Sequence, residues 1–186
     1  MKLILGSNSP RRKELLSELG FDFETRPSNV DETIPIEWNP IEAPRLLAIR
    51  KAESYQLKPD QVVMTADTMV INNKIILNKP NDRKEAIKMI ESLSGKTHQV
   101  VSGFCIRSNN KLFSDTDSVE VQFLEINRSE IEYYVDTFKP FDKAGAYGIQ
   151  EWIGMTYIQS IKGSFYTVMG LPTHKVYPIL NEFQID

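Results

Sequence analysis

Cysteine is nearly absent from this chain, since Cys105 is the only one among its 186 residues. A single cysteine excludes an internal disulfide framework and any zinc site built from several cysteines. Cys105 lies in the strand-like run VSGFCIR, which favours a small buried core residue. The two histidines, His98 and His174, are far apart in sequence and show no metal-pair spacing, so we interpret them as structural or solvated.

Long apolar runs and the common nucleotide fingerprints are also missing. No run approaches the roughly 18 apolar residues of a membrane span, and MKLILGSNS has too short an apolar core for a secretory signal. Neither GxxxxGK[ST] nor GxGxxG occurs. The net charge of −3 argues against general nucleic-acid binding. We therefore expect a soluble cytoplasmic protein that binds neither nucleic acid nor membrane.

The apolar residues that are present alternate between strand and helix patterns. The predicted strands cover residues 2–5, 21–25, 61–66, 68–71, 74–77, 98–107, 112–123 and 157–162. The predicted helices cover residues 10–19, 41–57, 82–93, about 127–138 and 174–183. Asn127 should cap the fourth of these helices, and Asn72-Asn73 suits a tight hairpin turn between strands 68–71 and 74–77. This order predicts a mixed α/β fold with a long twisted central sheet flanked by helices. Without a Pro- or Ser-rich linker, residues 1–186 should form a single domain whose two lobes share the sheet.

The first helix begins with an unusual charge pattern in the stretch SNSPRRKELL. Ser9 suits an N-cap and Pro10 the first helical position. Arg11 and Arg12 follow, although a helix N-terminus carries partial positive charge and prefers acidic residues. One interpretation is a polyphosphate site made of backbone N–H groups, the hydroxyls of Ser7 and Ser9, and two guanidinium groups. The other is that the cations are simply solvated.

Three further polar residues lie in segments between the predicted elements. Asp67 follows the apolar run that ends at residue 66, so it is either catalytic or an ordinary turn residue. Lys79 precedes a proline and Gln150 ends the stretch DKAGAYGIQ. By themselves, Lys79 fits a surface lysine and Gln150 fits a side chain that satisfies a turn. Ligands of α/β proteins bind at loops of this kind, beyond strand ends.

Taken in order, these segments resemble the Maf family of nucleoside triphosphate pyrophosphatases. The matching stretches are SNSPRRKELL, NVDET, ADTMV, NKP, SGKTH, DKAGAYGIQ and GSFYTVMGLP. Each stretch is short, but the ordered set is specific, and the resemblance runs from about residue 4 to residue 180, which is almost the whole chain. The resemblance implies hydrolysis of a nucleoside triphosphate between the α and β phosphorus atoms. It also implies a divalent metal, Mg²⁺ or Mn²⁺, and a fold similar to inosine triphosphatase, with a cleft between two lobes and often a homodimer.

The resemblance also assigns roles to individual residues. It makes Asp67 the proton acceptor, with Lys79 as a second catalytic residue. It places Glu32 and Asp67 at the metal. The positions that line the phosphates are Ser7, Arg11, Arg12 and Lys51.

Substrate choice within the family depends on three positions, which are Arg11, Thr68 and Gln150 in this chain. This combination is similar to the branch that acts on dTTP and UTP. The branch that acts on 7-methyl-GTP tends to carry Gln after the catalytic Asp and Glu near the position of Gln150. A glutamine amide both donates and accepts, which suits the O4 and N3–H edge of uracil or thymine.

Three positions depart from the family pattern: Gly6 stands where Ala is usual, and Asn78 and Glu151 stand where Gly is usual. These departures bear on the choice among nucleotide substrates more than on the class of reaction. One alternative is the same reaction on CTP or on modified nucleotides, which would clear abnormal precursors from the pool. Another is a regulatory protein that senses a nucleotide and acts in septum formation.

Overall fold

The computed structural model describes residues 1–184 of the chain. The strands are β1 Lys2–Leu5, β2 Phe23–Thr25, β3 Gln61–Asn72, β4 Ile75–Leu77, β5 Thr97–Arg107, β6 Leu112–Phe123 and β7 Ile158–Lys162. The helices are α1 Pro10–Glu18, α2 Ala43–Glu53, α3 Arg83–Leu93, α4 Arg128–Phe138, α5 Trp152–Tyr157, α6 Phe165–Met169 and α7 Thr173–Glu182. A short 3₁₀ turn covers Ala144–Ala146. Within residues 1–184, the structure contains no helix with the length and apolar character that crossing a membrane requires.

All seven strands belong to a single mixed sheet. Its order is β2-β1-β3-β5-β6-β7, and β4 pairs with β3 outside this path. Strand β1 runs parallel to both β2 and β3, whereas β4 is antiparallel to β3 and β7 is antiparallel to β6. Parallel pairs need crossover helices and antiparallel pairs need only short turns, so one sheet combines both kinds of connection. The predicted mixed α/β fold is confirmed.

The chain divides into two compact units, and each unit has its own hydrophobic core. The first contains residues 1–68, 102–117 and the described chain from 170 onward, and the second contains residues 69–101 and 118–169. In the first unit, α2 packs on strands through Ile4, Ala48, Ala52, Val63 and Cys105. In the second, α3 and α4 pack on β5 and β6 through Ile87, Ile90, Val100, Val121, Ile131 and Val135. The buried position predicted for Cys105 is confirmed, and the shared-sheet lobes of one domain stay a prediction.

Strand β3 is longer than the sequence pattern indicates. The apolar run does not end before Asp67, because the strand continues without interruption to Asn72. Asp67 and Thr68 are only partly buried within an otherwise buried strand. The strand tolerates Asp67 because its carboxylate accepts from the Thr68 N–H at 2.8 Å and from Lys51 Nζ at 3.2 Å. The prediction that Asp67 lies beyond a strand end is therefore wrong.

Local signals at the element ends are largely confirmed. Ser9 caps α1 by accepting from the Arg12 N–H at 3.4 Å, and the first turn of that helix contains no acidic residue. Asn127 caps α4 in the same way. The hairpin between β3 and β4 turns at Asn73 and Lys74, whose φ angles are 50° and 68°, one residue later than predicted. The helices α5 and α6 were not predicted, because five or six residues are too few for helical periodicity to repeat.

Candidate active site

The first polar loop begins where β1 ends, at Gly6 and Ser7. A Cβ atom on Gly6 would lie 2.7 Å from Thr65 Cγ2 and 2.8 Å from the Tyr55 hydroxyl oxygen. This close approach explains glycine at a position where the resemblance leads us to expect alanine. Ser7 is buried, and its hydroxyl oxygen accepts a hydrogen bond from Arg12 Nη1 at 3.3 Å.

The Arg12 guanidinium has three hydrogen-bond partners, and two of them are distant in the sequence. Its Nε donates to the Gly170 carbonyl at 2.9 Å, and its Nη2 donates to Thr68 Oγ1 at 3.1 Å. Together with the bond to Ser7, these contacts fix the plane of the guanidinium group. An arginine held in this way presents a defined fork of donors, which is the geometry that recognises phosphate.

Electrostatics at the start of α1 favour an anion. Desolvation by the surrounding protein lowers the pKa of Arg12, Asp67 opposes this effect, and the neighbouring charge of Arg11 adds to it. Arg11 lies half-buried in the first turn of the same helix. A polyanion beside both guanidinium groups would offset their mutual repulsion and their conflict with the helix dipole.

Lys51 holds two carboxylates. Its Nζ lies 2.9 Å from Glu32 Oε1 and 3.2 Å from Asp67 Oδ2. The side chains of Lys51 and Asp67 are 9% and 18% exposed, whereas that of Glu32 is 53% exposed. Asp67 and Glu32 also interact electrostatically with Arg12. The structure therefore brings Ser7, Arg11, Arg12, Glu32, Lys51, Asp67 and Thr68 into one part of the first unit.

The donors in this group suit a hard divalent cation. Asp67 and Glu32 both reach one ammonium group, so both carboxylates could also reach one small cation. No group of three or more His, Cys, Asp or Glu residues within residues 1–184 is arranged to hold a metal ion. Mg²⁺ is usually bound through one or two carboxylates, with substrate phosphates and water supplying the remaining ligands. The two carboxylates fit this pattern.

Lys79 and Gln150 belong to the second unit, where both are exposed. The segments that carry them are tied together, because the Gly145 N–H donates to the Asn78 carbonyl at 3.2 Å. Lys79 follows Asn78 directly, and Gln150 lies five residues after Gly145. Their contribution to the site stays a prediction.

Sequence reasoning missed Ser102 and Gly170. The Ser102 hydroxyl lies 2.7 Å from Thr68 Oγ1, and the Gly170 carbonyl accepts from both Arg12 and Thr68. Ser102 sits inside a buried strand run and carried no motif signal. Gly170 lies in the matching stretch GSFYTVMGLP, and its φ of +122° favours glycine, but nothing in the sequence indicated which carbonyl would face Arg12.

A second cluster of charged residues surrounds Glu151 in the second unit. Its carboxylate accepts from the Tyr134 hydroxyl and lies 3.0 Å from Lys143 Nζ. The Gly148 N–H donates to the Tyr134 oxygen at 3.1 Å. Burial, followed by the hydrogen bond to Glu151, raises the pKa of Tyr134, so the hydroxyl stays protonated as a donor. Glu151 thus fixes the loop that carries Gln150.

The first-unit group has the parts that water attack on a polyphosphate requires. The start of α1 and the Arg12 fork supply positive charge and directed donors. Asp67 supplies a carboxylate that can accept a proton, and Lys51 supplies a cation beside it. Phosphoryl transfer depends mainly on positioning and charge neutralisation, which such a group provides.

Comparison with known proteins identifies relatives along almost the whole length of the chain. The family model described as Maf-like protein matches residues 2–183. A dTTP/UTP pyrophosphatase from Porphyromonas gingivalis is 47% identical, covering 98% of this chain and 94% of the relative. Proteins of the same name from Bacteroides thetaiotaomicron and Christiangramia forsetii are 46% and 44% identical, covering 95% and 97% of this chain and 93% of each relative.

Among solved structures, a nucleoside-triphosphatase / dITP/XTP pyrophosphatase from Mycobacterium abscessus is similar at a TM-score of 0.49 and 11% identity. That similarity covers 98% of this chain and 97% of the other. The family assignment depends on the family model and the curated relatives.

Proposed function

This chain belongs to the Maf-like protein family, and we propose from that premise that it is a nucleoside triphosphate pyrophosphatase acting on dTTP and UTP. The products are the nucleoside monophosphate and pyrophosphate. The observation that carries the proposal is the Lys51–Asp67–Glu32 group beside Arg12, in a chain 44–47% identical to proteins named dTTP/UTP pyrophosphatases.

The triphosphate binds at the start of α1 in this proposal. Ser7, Arg11, Arg12 and the first N–H groups of the helix receive phosphate oxygens, which neutralises charge before the reaction begins. Arg12 needs little reorganisation, because Ser7, Thr68 and Gly170 already orient its guanidinium group. Lys51 and Lys79 add positive charge to the phosphates. Charged groups that are already oriented lower the activation free energy of hydrolysis, through positioning and electrostatic stabilisation.

Asp67 acts as the general base. A carboxylate offers about four lone-pair positions, and Lys51 and the Thr68 N–H each occupy one. The remaining positions can accept a proton from water. As the water oxygen bonds to one phosphorus of the α–β anhydride, the bond from that phosphorus to the bridging oxygen breaks. The departing half, pyrophosphate or nucleoside monophosphate, takes the bridging oxygen and the bonding electrons. The water proton passes to Asp67, and no covalent enzyme intermediate is required.

Asp67 and Glu32 would hold the divalent metal, Mg²⁺ or Mn²⁺, whose oxygen preference matches their carboxylates. A bound metal supplies charge neutralisation on phosphate oxygens and makes coordinated water more acidic. Glu32 is about half exposed, so its carboxylate can leave Lys51 for another cation at little desolvation cost.

Gln150 recognises the nucleotide base in this proposal, and Arg11 and Thr68 are further specificity positions. The Gln150 amide can donate to O4 and accept from N3–H of uracil or thymine. The hydrogen bond between the Thr68 and Ser102 hydroxyls, at 2.7 Å, supports this proposal because it limits the rotation of the Thr68 side chain. A homodimeric assembly stays a prediction of the family resemblance, and a cytoplasmic location stays a prediction of the composition and sequence pattern.

The test is a substrate panel with product identification. The purified chain is incubated with dTTP, UTP, CTP, GTP or 7-methyl-GTP, with Mg²⁺ or Mn²⁺, and pyrophosphate and orthophosphate are measured separately. We expect pyrophosphate from dTTP and UTP, a requirement for metal, and little product from 7-methyl-GTP.

Other outcomes lead to different conclusions. Strong release from CTP or a modified nucleotide, with weak release from dTTP and UTP, would keep the reaction and overturn the substrate assignment. Release of orthophosphate alone would overturn the reaction itself. Nucleotide binding by equilibrium dialysis, without any turnover, would replace the enzyme with a nucleotide-sensing protein.

A further inference from the structure

The segment that carries Glu32 has little regular structure to hold it. Between β2 and α2, residues 26–42 form neither helix nor strand, and none of them is buried, since about half are exposed and the rest are half-buried. Glu32 itself makes its ion pair from a half-exposed side chain. An exposed loop would sample many conformations unless specific contacts fix it. The position of the Glu32 carboxylate therefore depends on what anchors its backbone.

Arg50 of α2 provides such an anchor. Its Nη1 donates to the carbonyl oxygens of Asp31 and Thr33, each at 2.9 Å. These two carbonyls belong to the residues immediately before and after Glu32. The Arg50 guanidinium also lies 4.7 Å from the ring centroid of Trp38, within cation–π distance. One side chain thus contacts the loop on both sides of Glu32 and at a position further along.

Two neighbouring residues of α2, Arg50 and Lys51, bind different parts of this loop. Arg50 binds the backbone around Glu32, and Lys51 binds its carboxylate at 2.9 Å. The two contacts differ in one important respect. The Arg50 bonds go to carbonyl oxygens, so they persist whichever partner the carboxylate takes. Loss of the Lys51–Glu32 ion pair during a reaction would therefore leave the loop backbone in place.

We propose that Arg50 is a positioning residue, which acts through Glu32 by fixing the backbone on both sides of it. The inference rests on the proposed function, because it assumes that Glu32 takes part in triphosphate hydrolysis. Arginine suits the role because a cationic N–H group makes stronger hydrogen bonds to carbonyls than a neutral donor. A site residue works less well when the residues that hold it in position are removed, so loss of Arg50 should lower turnover.

The test is a double-mutant cycle with Arg50→Ala, Glu32→Gln and the combined variant. We expect each single variant to lower kcat/KM for dTTP, Arg50→Ala by about tenfold, as typical for a supporting residue. The combined variant should be no worse than Glu32→Gln alone, because Arg50 acts through that side chain. Arg50→Lys should restore part of the loss, since an ammonium can still donate to the two carbonyls.

Arg45→Ala is the matched control. Arg45 lies on the same helix, but it binds Glu42 at 2.6 Å and the Ser114 hydroxyl at 3.3 Å. Hydrogen exchange of residues 28–38, measured without nucleotide, gives a readout independent of turnover. Arg50→Ala should speed exchange there, whereas Arg45→Ala should change neither exchange nor kcat/KM. Thermal denaturation of both variants separates these local effects from global unfolding.

Three results would overturn the inference. The first is additive losses of kcat/KM in the combined variant, and the second is unchanged exchange of residues 28–38 in Arg50→Ala. The third is a Glu32→Gln variant with wild-type turnover, which would remove Arg50 from the reaction and leave the pyrophosphatase proposal standing. If the wild-type chain showed no turnover, the proposed function would fail, and with it any role of Arg50 in that reaction.

Discussion

Two buried lysines, one in each unit, hold carboxylates in nearly the same way. The side chains of Lys51 and Lys143 are 9% and 10% exposed. Each pairs with one carboxylate that is largely covered and one that is mostly in solvent. For Lys51 these are Asp67 and Glu32, and for Lys143 they are Glu151 and Asp142, at 19% and 59% exposed. By ion pairing alone, the two clusters are equivalent.

The surroundings of the two lysines differ. Glu151 also accepts a hydrogen bond from the Tyr134 hydroxyl, whose oxygen accepts one from the Gly148 N–H. These bonds fix the loop that carries Gly148 and Glu151. Asp67 instead adjoins Thr68, which is bonded to Arg12 at the start of α1. A buried ion pair therefore does not by itself identify a reaction site. The helix start and the oriented guanidinium group make the difference.

Replacing one carboxylate by an amide in each cluster, with Glu32→Gln and Glu151→Gln, should separate their functions. Glu32→Gln should lower kcat/KM for dTTP by up to about 100-fold, because it removes a carboxylate of the proposed metal site. Its effect on stability should stay below about 1 kcal/mol, since the ion pair is half exposed. Glu151→Gln should do the reverse, with about 2–3 kcal/mol lost and turnover retained.

Steady-state kinetics and urea unfolding of both variants measure these effects. The metal concentration for half-maximal rate should rise for Glu32→Gln and stay constant for Glu151→Gln. Equal losses of turnover in the two variants would show that the clusters are functionally equivalent, against our interpretation.

The second unit also buries a titratable group in its neutral form, which the pH dependence of stability should reveal. His98 Nε2 lies 2.7 Å from the Tyr147 hydroxyl, and burial lowers the pKa of His98 to about 4. In the unfolded chain its pKa is near 6.5. Between these values the unfolded state binds more protons, so stability is lost as the pH falls from about 6.5 toward 4.

Urea unfolding at pH 7 and pH 4.5 tests this expectation. The wild-type chain should lose about 2 kcal/mol more between these pH values than His98→Gln, which removes the titration. Parallel losses in the two proteins would indicate that His98 does not stay neutral in the folded state.

The smallest expected effect concerns Gln150, which directly precedes Glu151. Gln150→Glu should lower the ratio of kcat/KM for dTTP over that for GTP by about tenfold, because a carboxylate cannot donate to O4. Stability should be nearly unchanged, since Gln150 is exposed. An unaltered preference would separate Gln150 from base recognition and leave the loop around Glu151 purely structural.

The sequence predicted those features that depend on local chemistry. The N-caps at Ser9 and Asn127 and the buried strands followed from neighbouring residues, and the structure confirms them. It could not place Asp67 inside a strand, because one of the two hydrogen bonds that stabilise the carboxylate there comes from Lys51, sixteen residues earlier. The partners of Arg12 were equally inaccessible, since Gly170 is 158 residues away in sequence.

The roles within the candidate site were open to sequence reasoning only through family resemblance. Without the family resemblance, no sequence feature distinguishes Lys51 from other helix lysines. Its two carboxylate partners are tertiary contacts of the folded chain. Arg50 and Ser102 carried no motif, because one binds main-chain carbonyls and the other a neighbouring strand. Contacts of this kind are set by tertiary structure rather than by residue type.

Turnover of dTTP by Asp67→Asn, with Glu151→Gln as the control, shows directly whether Asp67 is the general base. Asparagine keeps the shape of the side chain but cannot accept the proton from water. We predict that Asp67→Asn folds, binds dTTP, and loses at least about 10²-fold in kcat, whereas Glu151→Gln retains turnover. Near wild-type kcat in folded Asp67→Asn would contradict the account, because the group beside Arg12 would then lack its base.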